Sequence, residues 1–125
     1  MNTVLITSGR VLLALYFLLP GVMKFVSWDM HIALMANHNM VMIPQLLAMA
    51  AVFEISAAIA LIFNRYTFIV SLLLAVLVLV INLNLHDFWN YTGIEGAHEV
   101  QNFVKNLGIF AGLLVLAGHA KVSAK

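Results

Sequence analysis

Cysteine is absent from this chain, and charge of either sign is scarce. Without cysteine there is no disulfide framework, no CxxC redox pair, no thiolate metal site and no cysteine nucleophile. Any redox chemistry must then rest on a bound cofactor or a partner. Charged residues make up 9% of the 125 residues and hydrophobic ones 64%, with a mean hydropathy of +1.05. Soluble domains carry about 25% charged residues. A soluble fold of this size cannot hide so much apolar surface, so the chain reads as an integral membrane protein, and on length as one domain. A net charge of +1 gives no basis for a nucleic-acid partner. No Ser-His-acid or zincin pattern is present, which argues against hydrolase chemistry. Segments of alternating hydrophobicity are also missing, which argues against a membrane β-barrel. Internal repeats and low-complexity tracts are absent too. No Lys or Arg precedes the first apolar run in Met1–Ser8, and no small-residue cleavage site follows Lys24. The first segment is therefore expected to be a retained helix rather than a signal peptide.

What the chain does have is four long apolar runs. A membrane span needs about 20 such residues. The expected spans are Val4–Phe25, Pro44–Phe63, Thr67–Leu85 and Glu99–Gly118. The fold class expected is all-α, a four-helix antiparallel transmembrane bundle. The Asn64-Arg65-Tyr66 link is short enough to force a tight hairpin between the second and third spans. The Val26–Ile43 link carries apolar residues at helical spacing and suits the membrane interface. The link 86–98, with Trp89, Tyr91, Gly93 and Gly96, reads as an irregular loop with aromatic anchors. Arg65, Lys121 and Lys125 fall on the side of both termini, whereas Asp29, Asp87, Glu95 and Glu99 fall opposite, with Lys24 nearby. The positive-inside rule then places both termini in the cytoplasm.

Four ionisable residues lie in or at the edge of the spans: Arg10, Lys24, Glu54 and Lys105. At a helix centre each costs at least about 2.5–3.5 kcal/mol unless paired or hydrated. They are expected to face inward and meet. On the first span, Arg10, Ala14, Phe17, Gly21 and Lys24 share one stripe. On the second, Glu54 shares a face with Leu47, Ala50, Ala51, Ala57, Ala58 and Leu61. On the fourth, Lys105 lies with Gln101, Gly108 and Gly112, whose GxxxG spacing suits close helix contact. Near the outer end of the third span, Asn82, His86 and Trp89 share a stripe. Counting rise per residue puts Arg10 within roughly one turn of Glu54 in depth, so Glu54–Arg10 is the expected pair, with Lys105 as rival. Glu54 can serve only to fix helix register, or it can line a ligand or proton site. Intramembrane ionisable groups are functional candidates by default. Three basic groups against one acid favour a cavity for an anion or a polar headgroup.

The string HDFWNYTGIEGAHEVQNFVKN, residues 86–106, gathers polar groups at one membrane boundary. Asp87 and His98 are its candidate proton relay, and His86, Asn102 and Lys105 its candidate ligand contacts. Helix capping is the plain alternative. Two histidines and a carboxylate could also hold a metal, but the spacing matches no strong motif, and no metal ligands are assigned. The stretch MHIALMANHNMVM, residues 30–42, has thioether and imidazole groups that suit copper(I). Its apolar spacing equally suits a plain packed face.

The pieces GRVLLALYFLLPGVMKF at 9–25, FEISAAIALIF at 53–63, and HDFW with VQNFVKNLGIFAGLLVLAG at 86–118 resemble the DoxX family of small four-span bacterial membrane proteins. The resemblance covers most of the chain. The family pattern has an Arg early in span one, a Gly-x-x-Lys near its end, a Glu in span two, and Asn or Lys-Asn at the start of span four. Here these are Arg10, Gly21 with Lys24, Glu54, and Asn102 with Lys105 and Asn106. The stretch after the span-two Glu is glycine-rich in relatives, whereas this chain has Ser56-Ala57-Ala58. The resemblance implies a four-helix bundle in the bacterial inner membrane. Some relatives are linked to quinone-dependent sulfur oxidation, others to membrane oxidoreductase assemblies or stress resistance.

Three functions follow as expectations. The first is a quinone-linked component of a membrane oxidoreductase, with Glu54 carrying protons and Arg10, Lys24, His86, Asn102 and Lys105 contacting the ligand. The second is a non-catalytic membrane partner that helps assemble a larger complex, or a homo-oligomer. The third is binding or transport of a small anion or metal.

Overall fold

A computed structural model describes residues 2–123. Among these residues the protein is all-helical, with no strand. The order is α1 (Asn2–Val26), α2 (Trp28–Asn37), α3 (Ile43–Ile62), α4 (Thr67–Leu85), a single 3₁₀ turn at Phe88–Asn90, and α5 (Gly93–Ser123). Four of these helices are long and apolar enough to cross a membrane: α1, α3, α4 with the turn that follows it, and α5. Apolar side chains cover their outer surfaces, as lipid-facing helices require. Val4, Leu12, Leu19, Val52, Val76 and Val115 are all more than half exposed.

The interior is built from small residues on the stripes expected from sequence. Ala14, Phe17 and Gly21 are the buried residues of α1, and Leu47, Ala51, Glu54, Ala57, Ala58 and Leu61 those of α3. Small side chains let backbones approach, which drives packing where water supplies no hydrophobic force between helices. Gly21 shows this most directly, because a Cβ placed there would lie 2.9 Å from Ile55 Cγ1 and 3.2 Å from Glu54 Cβ. The bundle packs chiefly as two pairs, α1 with α3 and α4 with α5. Leu61, Leu74, Ala75, Val78, Leu113 and Leu116 join the pairs in one core.

The α3–α4 turn explains itself chemically. Asn64 has φ +55°, its N–H donates to the Leu61 carbonyl, and the Arg65 N–H donates back to the Ala60 carbonyl. This is the Schellman ending of a helix, with asparagine in the left-handed position. The Thr67 hydroxyl then donates to the Asn64 side chain as α4 begins. Arg65 and Lys121 lie at this end of the bundle, and Lys121 stacks over the Phe68 ring at 5.0 Å. Lys125 lies outside the described residues.

The fourth span differs from its expected bounds. It starts at Gly93, six residues before Glu99, so His98 belongs to the helix and not to the preceding loop. Gly96 makes this start feasible, since a Cβ there would meet the Tyr91 carbonyl oxygen at 2.9 Å. The expected close-contact face of α5 also differs. Gly108 and Gly112 have no other helix within reach of an added Cβ, and α5 instead buries Leu113, Leu116 and Ala117.

Candidate functional site

Glu54 sits in the second half of α3 and is 3% exposed. Its partner is Lys24, whose Nζ lies 2.7 Å from Glu54 Oε2. The expected pairing with Arg10 is therefore incorrect. Arg10 donates from Nε to the Leu61 carbonyl at 2.8 Å. Leu61 is seven residues beyond Glu54 on α3, about 10 Å at 1.5 Å per residue. The register of α1 against α3 is set by Gly21 meeting Glu54 and Ile55, and that register carries Arg10 past the acid to the end of the helix. There a cation suits the exposed carbonyls and the negative end of the helix dipole. Arg10 thus works as a cap on α3, beside a separate recess lined by Asn64, Tyr66, Thr67 and His119.

The Lys24–Glu54 pair forms one wall of a cavity of about 560 Å³. His86 reaches it from just beyond α4, and Asn102, Lys105 and Asn106 from α5. Phe17, Pro20, Val78, Ile81 and Ile109 supply apolar walls. Four of the five residues expected to contact a ligand, together with Glu54, therefore converge on one cavity, and Arg10 is the one excluded. Tyr16 also lines the cavity, and the sequence reading missed it. Its position one turn before Pro20 on a lipid-facing helix gave an ordinary aromatic signal.

The cavity lies where α1 and α5 approach but scarcely pack. Tyr16 donates its hydroxyl to Asn106 Oδ1 at 2.9 Å across that cleft. On the α4 side, Asn82 is fully buried and donates from Nδ2 to the Phe103 carbonyl at 3.1 Å. This clamps α4 to α5 next to the site.

The expected relay residues stand apart from the cavity. Asp87 Oδ1 lies 3.0 Å from His38 Nδ1, and the other Asp87 oxygen accepts from Asn90 at 2.6 Å. His98 is exposed on α5 and lines a different recess with His38, Tyr91, Glu95 and Glu99. Among the described residues, no hydrogen bond or ion pair joins His98 to Asp87. Glu99 takes the linking position. It lies 3.3 Å from His86 Nδ1 through Oε2 and accepts from Asn102 through Oε1, also at 3.3 Å. Tyr91 is half-buried, and partial burial followed by the charges of Asp87, Glu99 and Glu95 pushes its hydroxyl above the ordinary phenol value. It remains protonated at neutral pH, 3.5 Å from His38 Nδ1.

The groups of the methionine stretch point in different directions. Met30 and Met42 are exposed, Met35 is buried against the bundle, and His31 turns its Nδ1 to the Ser27 carbonyl at 2.8 Å.

Chemically, the cavity offers two ammonium groups, two amides, a phenol, an imidazole and a carboxylate within apolar walls. That set can hold a polar headgroup through several hydrogen bonds while its tail stays in lipid. Nothing among curated proteins or solved structures matches the chain. The family model described as DoxX matches residues 5–87, which takes in Arg10, Lys24, Glu54 and His86 but stops short of α5. That match covers more than half of the chain and agrees with its four apolar helices: the protein is a multi-pass membrane protein of the DoxX family.

Proposed function

We propose that the whole chain is one DoxX-like domain of a bacterial inner membrane, with both termini in the cytoplasm, that binds the headgroup of a membrane quinone as part of an oxidoreductase system. The observation that carries this reading is the convergence of Lys24, Glu54, His86, Asn102 and Lys105 on a cavity beside the weakly packed α1–α5 cleft. Small-molecule sites commonly measure about 300–1,000 Å³ and combine apolar walls with a few placed polar groups. This cavity fits that description.

A quinone, when bound, supplies two-electron, two-proton chemistry, with electrons drawn from a partner donor. The residues of the chain then have separable roles. Lys105, Asn102 and Asn106 donate hydrogen bonds to carbonyl oxygens. Lys24 holds Glu54 in place and offsets its charge. Glu54 and His86 hold exchangeable protons at the cavity wall, and His86 contacts Glu99, which leads toward the aqueous edge.

The test is mass spectrometry of the small molecules and proteins retained by the protein after gentle purification from its native membrane. A stoichiometric quinone that is lost in Glu54→Gln and Lys105→Ala, yet kept in Arg10→Leu, is the expected result. A co-purifying protein with no quinone would overturn this reading in favour of an assembly subunit.

A further inference from the structure

We propose that His38, Asp87 and Glu99 form a binding site for one first-row divalent transition-metal ion, of the Zn²⁺ class, at the end of the bundle opposite the α3–α4 turn. The three residues come from three separate segments: the C-terminal cap of α2, the α4–α5 link, and the second turn of α5. Each offers one ligand atom, and these atoms all lie within 4.8 Å of one another. Metal–ligand bonds of about 2.0–2.2 Å put two ligand atoms roughly 3–4 Å apart, so side-chain adjustment of about 1 Å closes the cluster on an ion.

Burial and hydrogen bonding point the same way. The His38, Asp87 and Glu99 side chains are 6%, 14% and 19% exposed. Asp87 Oδ1 is fully buried without a well-formed hydrogen bond, and His38 Nδ1 lies 3.0 Å from it. A buried carboxylate oxygen left without a donor is costly unless something positive meets it. The surrounding contacts are those that orient metal ligands. Asn90 fixes the other Asp87 oxygen, and Asn102 and His86 approach the Glu99 carboxylate.

Charge completes the argument. Among the described residues, the ion-pair partners of Asp87 and Glu99 are histidines, not Lys or Arg. Two carboxylates are thus brought close together with no Lys or Arg beside them, a charge that a divalent cation would balance. One imidazole nitrogen with two carboxylate oxygens suits a borderline divalent ion. It lacks the thioethers that select copper(I) and the all-oxygen shell that calcium or magnesium prefers. The adjoining recess, about 530 Å³ and bordered by Glu95 and His98, leaves room for water to complete the coordination. Because Glu99 also contacts His86 and Asn102, the ion would brace the rim of the larger cavity. The proposal stands independently of what that cavity holds.

The experiment is titration of the chelator-treated full-length protein in nanodiscs with Zn²⁺ alone, read by calorimetry, by metal content after desalting, and by thermal shift. We expect one equivalent bound and a raised melting temperature. Asp87→Asn, which keeps the shape of the side chain, should weaken binding at least about 10-fold, as should His38→Ala. His31→Ala, outside the cluster, should bind as the parent does. The melting temperature of each metal-free variant reports whether it folds, and Glu99→Gln substitutes for a variant that does not. No stoichiometric uptake, uptake unchanged in Asp87→Asn and His38→Ala, or equal uptake of Mg²⁺ would each overturn the proposal.

Discussion

Removing Lys24 should damage the protein more than removing the charge of Glu54. The two side chains meet at 2.7 Å, but their surroundings differ: Glu54 is 3% exposed and Lys24 is 15% exposed at the cavity wall. Lys24→Met leaves an unpaired carboxylate that is almost fully covered by α1 and α3 on the inner side of the cavity wall. Breaking a buried pair from one side typically costs about 3–5 kcal/mol, and Lys24→Met should fall in that range. Glu54→Gln keeps a hydrogen-bond acceptor for Lys24 and leaves an ammonium that borders the cavity, so about 1–3 kcal/mol is expected. The double variant removes both charges and should recover at least about 1 kcal/mol relative to the sum of the singles, within the usual range for residues in direct contact. The assay is equilibrium unfolding in mixed micelles for the four proteins of the cycle. Additivity within about 0.5 kcal/mol would show that the pair does not act as a unit. A larger loss in Glu54→Gln than in Lys24→Met would refute the argument from burial.

Gly21→Ala should open the α1–α3 contact, since its new methyl meets Ile55 and Glu54 inside van der Waals distance. Overpacking costs about 1–3 kcal/mol against about 1 kcal/mol gained in helix propensity. The same unfolding assay should show a net loss that Ile55→Ala partly relieves, and a stabilised Gly21→Ala would contradict the close packing. Tyr16→Phe removes the 2.9 Å bond across the α1–α5 cleft at an exposed position. Stability should change by about 1 kcal/mol or less, while release of a ligand from the cavity, followed by dilution of a fluorescent or labelled ligand, becomes faster. An unchanged release rate would mean that ligands do not pass this cleft.

Much of the helical architecture is legible in local pattern. Four apolar runs, the inward stripe Ala14–Phe17–Gly21, and the small face around Glu54 follow from periodicity and the cost of charge in lipid. Convergence of Lys24, Glu54, His86, Asn102 and Lys105 follows from the same cost, because polar groups in spans turn away from lipid. The pairings are another matter. Arg10 and Lys24 lie on one stripe of one helix, yet counting rise per residue points to Arg10, with Lys105 as rival, and passes over Lys24, the partner that Glu54 has. The choice depends on the sliding register of α1 against α3, in which Gly21 meets Glu54 and Ile55. His38 stood out only within the Met/His stretch 30–42, and no local pattern joined it to its neighbours in the cluster, which are 49 and 61 residues away in sequence. His98 lies on α5 and not in the link before it, because the helix begins earlier than polarity suggested.

The sequence by itself determined that this chain lives in a membrane, that it crosses as helices, and which face of most spans turns inward. Those properties follow from hydrophobic content and a period of 3.6 residues, both local. Only the tertiary structure decided which charge meets which, where the cavity opens, and that His38 joins Asp87 and Glu99. These depend on helix register and on where α5 begins, and both are set by steric contacts between segments distant along the chain.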